Sequence, residues 1–436
     1  MRLYSTRKGA PSATFRQALF AGQAPDGGLY MPEFFPPIGR EELKKFARLS
    51  YSALAAELAS KYMGDEIEAP ALEVIMAGAY NFEPELKELE PGLYCLELFH
   101  GPTLSFKDFG ARFMAHTMAY FAAGGEQELT ILVATSGDTG SAVAKAYHRL
   151  KGVRVVLLYP SGKVSALQER QFTTLGVNVY ALEVQGTFDD CQGLVKKAFS
   201  DAELNARLAL SSANSINIGR LIPQSFYYVW AAAKAYERYG QEVMVCVPSG
   251  NFGNLTAGVF AKKMGLPLSR FIAAVNANAV IPEYLETGCY RPRPSRQTLA
   301  NAMDVGSPSN WERICDLYGN AHSRIKQELW SASVDDQLIL RMMRESYERW
   351  SYVADPHTAV GMQALLWFKA AFPEVDKNVF ITLSTAHPGK FVETVNQALN
   401  MNYKLPVELQ AVMQSEKQAR YMPNDYAKLK EFLWYL

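Results

Sequence analysis

The chain has 436 residues, 49% apolar and 20% charged, with 44 Lys+Arg against 44 Asp+Glu and a formal net charge of zero. At ~150 residues per domain the length suits about three domains or two large ones with a sizeable core. The balanced, well-mixed charge argues against a protein held to nucleic acid by a basic surface and against a disordered chain.

The first eight residues, Met1-Arg2-Leu3-Tyr4-Ser5-Thr6-Arg7-Lys8, carry charges with no apolar stretch behind them. They do not read as a secretory signal, and a cytoplasmic location is expected. No apolar run approaches the ~18 residues needed to cross a bilayer, so no membrane partner is expected. Residues 1–92 read as a mostly helical region. Leu43, Phe46, Leu49, Leu54 and Leu58 fall at helical spacing over 41–64, and Gly64 is a stop. Asp26-Gly27-Gly28 marks a turn before that segment, and the prolines near residue 91 mark a boundary after it.

From Leu93 short apolar runs alternate with longer amphipathic segments. Strands are expected at 130–134, 153–159, 177–184, 242–247, 271–275 and 379–383. Helices are expected at 141–150, 166–175, 188–199, 221–239 and 255–264. Residues 276–333, with Pro282, Pro292, Pro294 and Pro308, are the least regular stretch. Continuous apolar strands between helices imply an α/β fold with a parallel sheet covered on both faces. Ligands of such sheets sit beyond the carboxyl ends of the strands, which directs attention to the loops there.

Four of those loops, and one segment ahead of them, carry chemistry. After the 242–247 strand comes Ser249-Gly250-Asn251-Phe252-Gly253-Asn254, whose glycines let successive N–H groups face an anion at a helix N-terminus. It is neither a Walker P-loop nor GxGxxG, and alone it equally suits an ordinary βα turn. Thr135-Ser136-Gly137-Asp138-Thr139 ends another strand, and Asp138 there suits a helix cap as well as a ligand. The stretch 211–220 gathers three serines, Asn214 and Asn217 ahead of Arg220, a set of uncharged donors and one planar cation that suits a phosphate or carboxylate. Thr385 follows the last strand, in Ser384-Thr385-Ala386-His387-Pro388-Gly389-Lys390. Lys107, among Gly, Pro and apolar residues in 100–110, becomes a nucleophile if desolvated, although a surface lysine paired with Asp108 is the commoner case.

Other chemistries find little footing. Six scattered histidines give no HExxH and no ligand spacing, so no metal is expected. Five cysteines without a CxxC pair suit neither a disulfide scaffold nor a zinc finger. GxSxG is absent.

The order of these motifs is far more specific than any one of them. Phe-Lys107-Asp, Thr135-Ser-Gly-Asp-Thr-Gly, Asn214-Ser-x-Asn-x-x-Arg220, Ser249-Gly-Asn-Phe-Gly-Asn and Thr385-Ala-His-Pro together resemble the threonine synthase family of pyridoxal-phosphate enzymes. The likeness runs from Tyr4-Ser-Thr-Arg7 and Asp26-Gly-Gly-Leu-Tyr30 to the Thr385 loop. Asn301-Ala-Met-Asp304 and Pro308-Ser-Asn310 look like the longer form of that family.

The resemblance implies a tryptophan-synthase-β-like fold (fold type II) with two parallel-sheet domains and a helical N-terminal region. Its expected limits are 1–92 for the N-terminal region, 93–112 with 216–436 for the larger cofactor-binding domain, and 113–215 for a smaller, mobile one. It implies a cytoplasmic lyase, monomer or homodimer, that turns O-phospho-L-homoserine and water into L-threonine and phosphate by γ-elimination and β-addition. Lys107 would form the Schiff base with the cofactor. Ser249, Gly250, Asn251, Phe252, Gly253 and Asn254 would cradle its phosphate, Thr385 would meet the pyridine nitrogen, and Asp138 would lie at the ring hydroxyl. Thr135, Ser136, Gly137 and Thr139 would face the substrate's charged ends, with Asn214, Ser215 and Arg220 at its phosphate. Asp138 departs from the asparagine of many related enzymes, so a simple amide bond to the ring oxygen does not carry over. The rival within the fold is another lyase, such as a serine/threonine dehydratase, an O-acetylserine sulfhydrylase or a phospho-lyase. Such enzymes have less need of a second anion site.

Overall fold

The chain, described here by a computed structural model over residues 1–123, 128–375 and 377–436, forms its central strands where apolar residues run without interruption between turns, and shorter or more polar ones at the sheet edges. In chain order these are β1 (Arg2–Ser5), β2 (Ala13–Thr14), β3 (Tyr30–Pro32), β4 (Glu85–Glu90), β5 (Leu93–Glu97), β6 (Leu129–Ala134) and β7 (Val153–Pro160). They continue with β8 (Val179–Gln185), β9 (Ala209–Ser211), β10 (Val243–Pro248), β11 (Leu268–Val275), β12 (Leu329–Ser333), β13 (Val379–Ser384) and β14 (Arg420–Pro423). They make three sheets: β2-β1-β3, β12-β11-β10-β13-β5-β4 and β14-β8-β7-β6-β9. The five-stranded sheet is parallel throughout. In the six-stranded sheet only β4 runs antiparallel, at the edge.

Strand alternation shows how both sheets are covered. In β10, Val243, Val245 and Val247 face the main core while Met244 and Cys246 face a second one. In β6, Leu129, Ile131 and Val133 face that same main core, and Leu132 and Ala134 face a third. The main core is thus shared by the facing sides of the two large sheets, and every residue of β6 and β10 is buried. The Lys107–Ala122 and Ile218–Tyr239 helices bring Phe109, Phe113, Leu221 and Phe226 to this shared core.

Several elements depart from the sequence reading. The helical pattern over 41–64 divides into Arg40–Phe46 and Tyr51–Met63, because Ser50 caps the second helix on the Ala53 amide at 3.3 Å. The N-terminal region also carries the small antiparallel sheet, whose strands of two to four residues are too short to show a period. β4, inside the expected N-terminal region, joins the six-stranded sheet instead. The chain end departs most. β14 pairs with β8, and Leu429 and Leu433 of the Tyr426–Trp434 helix enter the third core, so residues expected with the larger unit complete the smaller sheet. A four-residue strand, Arg-Tyr-Met-Pro, with a single buried side chain gives no alternation to read. Among the described residues no helix is long and apolar enough to cross a membrane.

The C-terminal helix should therefore stabilise the five-stranded sheet. Leu429 is fully buried, so Leu429→Ala is expected to lower stability by about 2–5 kcal/mol, the range for truncating a core leucine. Thermal unfolding measures this; an unchanged midpoint would mean the helix is not part of the core.

Candidate active site

The loops at the carboxyl ends of β6, β10 and β13 converge on one cleft. The segment ahead of Lys107 is held to the β13 loop by the Phe106 amide donating to the Thr385 carbonyl at 2.9 Å and by a bridge between Ser105 and Ala386. Lys107 then opens its helix with its amine inside the cleft.

The Lys107 amine donates to Asp138 Oδ2 at 3.2 Å. Asp138 starts the helix after β6 and is 5% exposed. Its other oxygen takes Lys390 Nζ at 2.8 Å and Gln168 Nε2 at 2.9 Å. Burial works to raise the Asp138 pKa, but Lys107, Lys390 and, more distantly, His357 hold it well below the ordinary carboxylate range. Burial also lowers the pKa of Lys107; Asp138 opposes this, and the positive charges of Lys390 and Arg220 add to it. A cluster of two lysines and one carboxylate, shielded from water, costs energy to break. Removing one member of such a buried pair typically costs about 3–5 kcal/mol.

The loop after β10 makes an anion cradle. Phe252 adopts φ 59°, which turns the chain into the Gly253–Lys263 helix. Among the described residues the N–H groups of 250–254 have no protein acceptor, as expected at a helix start. Asn254 is 6% exposed, and its Oδ1 accepts from the Tyr227 and Tyr228 hydroxyls at 2.5 and 2.8 Å. That orientation leaves Asn254 Nδ2 buried with no partner. Gly250 is obligatory for packing, since a Cβ there would lie 2.7 Å from Met303 Cα and 3.0 Å from the Ala302 carbonyl. A phosphate group fits this set of unpaired donors at the positive end of a helix dipole.

A second, cationic position lies beside it. Arg220 is 2% exposed, donates Nη1 to the Ala213 carbonyl at 2.7 Å, and has no carboxylate within ion-pair distance among the described residues. Burial takes its pKa down to about 10, with Tyr147 and Asp108 opposing. Asn251 links the two positions: its Nδ2 donates to Ser215 Oγ at 2.6 Å.

Lys107, Asp138, Thr139, Ser215, Arg220, Ser249, Gly250, Asn251, Phe252, Gly253, Asn254 and Thr385 all line the cleft. Thr135, Ser136, Gly137 and Asn214 do not. The Thr135 hydroxyl accepts the Gly137 and Gly140 amides at 3.0 and 2.8 Å, shaping the loop from within, while Ser136 is exposed. Gly137 sits at φ 146° against Gln168, and the Asn214 carbonyl accepts the Asn217 amide. Sequence reasoning passed over His357 and Gln224, which also line the cleft. His357 Nε2 accepts the Ala302 amide at 3.2 Å, which leaves Nδ1 to donate to Asp355 at 2.7 Å. The one sequence hint was Asp355-Pro356, a helix-start signature that Asp355 fulfils by capping His357 and Thr358.

Paired parallel sheets, a largely buried lysine at the carboxyl ends of the strands and a helix-start loop of donors suited to a phosphate define a pyridoxal-phosphate-dependent enzyme of fold type II. The family model described as pyridoxal-phosphate dependent enzyme matches residues 81–384. Models described as threonine synthase N terminus and threonine synthase, C-terminal, match 2–80 and 358–433. The chain belongs to the threonine synthase family. It is 42% identical over 433 residues to the threonine synthase of Escherichia coli, covering 99% of both chains, and 40% identical to that of Haemophilus influenzae, again covering 99% of both. Among solved structures, the E. coli enzyme superposes with a TM-score of 0.90 over 100% of both chains. Pyridoxal-phosphate-bound threonine synthase from Brucella melitensis superposes with a TM-score of 0.93 at 34% identity, over 100% of this chain and 99% of that one.

The cradle's tight packing gives a direct test. Gly250→Ala is expected to weaken pyridoxal-phosphate binding at least ~10-fold, as about 1.4 kcal/mol of misfit would do. Titration of the cofactor by its absorbance measures it, and wild-type affinity in the variant would show that the loop yields freely.

Proposed function

We propose that the cleft converts O-phospho-L-homoserine and water into L-threonine and inorganic phosphate, with Lys107 as the lysine that carries the cofactor. What supports the substrate is the second position, a buried guanidinium with no carboxylate at ion-pair distance among the described residues, beside a cradle already suited to the cofactor's phosphate. Bound pyridoxal phosphate supplies an electron sink for the carbon next to the substrate amine.

The chain's own groups divide the remaining work. The 250–254 amides and Asn254 Nδ2 would hold the cofactor phosphate, and Thr385 would offer the ring nitrogen a neutral hydroxyl, which, unlike a carboxylate, would not keep a proton there. Its neighbour Ser384 is already engaged with Tyr352 and Thr358 at 3.0 and 2.9 Å. The Lys107 amine, when free, would be the base that moves protons at the substrate's α and β carbons, and its burial favours the neutral form this requires. Asp138 keeps that amine in place. Arg220, with Ser215 beside it, binds the substrate phosphate and stabilises the charge that grows on it as it leaves, an effect of about 2.7–4 kcal/mol for one preorganised donor. The Thr135–Thr139 loop orients the substrate's amino-acid end through Thr139 and the geometry that Thr135 imposes.

Incubation with O-phospho-L-homoserine should release threonine and phosphate in equal amounts; ammonia and a 2-oxo acid in their place would overturn the assignment. Arg220→Met is expected to keep cofactor affinity while kcat/KM falls roughly 10²–10³-fold. Equal turnover would remove Arg220 from the phosphate site. Lys107→Ala is expected to stay folded, by circular dichroism and thermal unfolding, and to lose turnover; normal turnover would exclude Lys107 as the cofactor-bearing lysine.

A further inference from the structure

Lys390 has no role in the scheme above, yet it occupies the centre of the charge cluster. It lies in the short Pro388–Phe391 turn after β13, and its side chain is fully buried. Its amine donates to the Thr103 carbonyl at 2.9 Å and meets Asp138 Oδ1 at 2.8 Å. Lys107 takes the other oxygen, Oδ2, at 3.2 Å. Lysine ammonium groups are strongly hydrated and are almost never fully buried unless something holds them. Here two ammonium groups share one carboxylate, and only the Lys107 amine reaches the cleft.

We propose that Lys390 is a positioning residue for the Lys107 amine: by holding Asp138 from the far side it fixes the carboxylate's direction and divides it between two ammonium groups. Lys107 is then tethered but easily deprotonated. This rests on the reading of Lys107 as the cofactor-bearing lysine. Without Lys390, Asp138 would serve Lys107 alone and hold it as an ammonium, which cannot act as a base. Without Asp138, nothing would offset the neighbouring positive charges. The charged and titratable groups facing the cluster are Asp108, Arg220 and His357, in addition to its three members. Asp108 is itself held by Thr103, through the amide at 2.8 Å and the hydroxyl at 2.7 Å, so it does not replace Asp138 as a partner for Lys107. Burial, Lys390 and Arg220 all act to lower the Lys107 pKa, in keeping with the geometry.

The test measures Lys107 itself. The full-length chain, freed of cofactor, is exposed to an amine-reactive label at a series of pH values, and labelling of the Lys107 peptide is followed by mass spectrometry. In Lys390→Met the labelling midpoint should move upward by about one pH unit or more, and Lys390→Arg should restore it. In Asp138→Asn, which keeps the side-chain shape, the midpoint should move downward. A Lys390 that merely supports the fold would leave the midpoint where it is. An unmoved or lowered midpoint in Lys390→Met overturns the proposal. If that variant does not fold, an unmoved or raised midpoint in Asp138→Asn overturns it. Borohydride reduction of the holoenzyme separates this from the underlying reading: cofactor fixed to a lysine other than Lys107 would sink the functional assignment even with the midpoints as expected.

Discussion

The carboxylate of Asp138 is the interaction on which the site depends. It reaches from the end of β6, in the five-stranded sheet, to Lys107 and Lys390, which flank the six-stranded one. Two ammonium groups on one buried acid make an arrangement that is stable only as a whole. Each charge lowers the cost of burying the others; Lys390 and Asp138 are closed off from water, and Lys107 faces the cleft. The same ion pairs therefore join the sheets and set the chemistry of the amine that faces the cleft. Cohesion and reactivity come from one set of charges.

Around it, the two positions proposed for anions differ in how they would achieve selectivity. The cradle at 250–254 offers backbone N–H groups and a helix start, which any phosphate of the right size could satisfy. Arg220 is a buried cation with no carboxylate at ion-pair distance among the described residues, and it would favour a ligand that brings a negative charge. Asn251 touches both: its side-chain amide meets Ser215, its carbonyl oxygen accepts the Ser309 amide at 2.6 Å, and its backbone carbonyl accepts the Asn310 amide. Asn310 is in turn held by Arg313, whose guanidinium also reaches the carbonyls of Tyr30 and Ile216. The cradle, the Ser215–Arg220 side and the N-terminal sheet are thus fixed relative to each other by a continuous set of hydrogen bonds.

The sequence was most legible where local chemistry decides structure. Uninterrupted apolar runs located β6, β7, β8, β10, β11 and β13 to within a few residues, while β4, β5, β9, β12 and β14 were not read. The Gly-containing loops after β6 and β10 identified the cleft, because strand ends and helix starts are locally encoded. What could not be read was contact between distant segments. Lys390 looked like any loop lysine; its meaning lies in Asp138, 252 positions earlier in the chain. His357 gave only a capping signature, since its cleft position is set by the Ala302 amide. Thr135 and Asn214 belonged to the right loops, but whether a side chain faces a ligand or its own backbone depends on a rotation that residue type does not specify. The family resemblance supplied the chemistry, and no pattern of spacing could have done so.

The return of β14 to the five-stranded sheet bears on how the chain comes to be folded. β6, β7, β8 and β9 are complete by residue 211, but the strand that covers the open side of β8 is residues 420–423. During synthesis, at about 5–20 residues per second, β8 would wait on the order of ten seconds or more for that partner. Until then its unpaired N–H and C=O groups are an edge onto which another chain could add. β14 therefore acts as a seal against misassembly: a chain without it would keep Lys107, Asp138 and the 250–254 loop but present an aggregation-prone flank at β8.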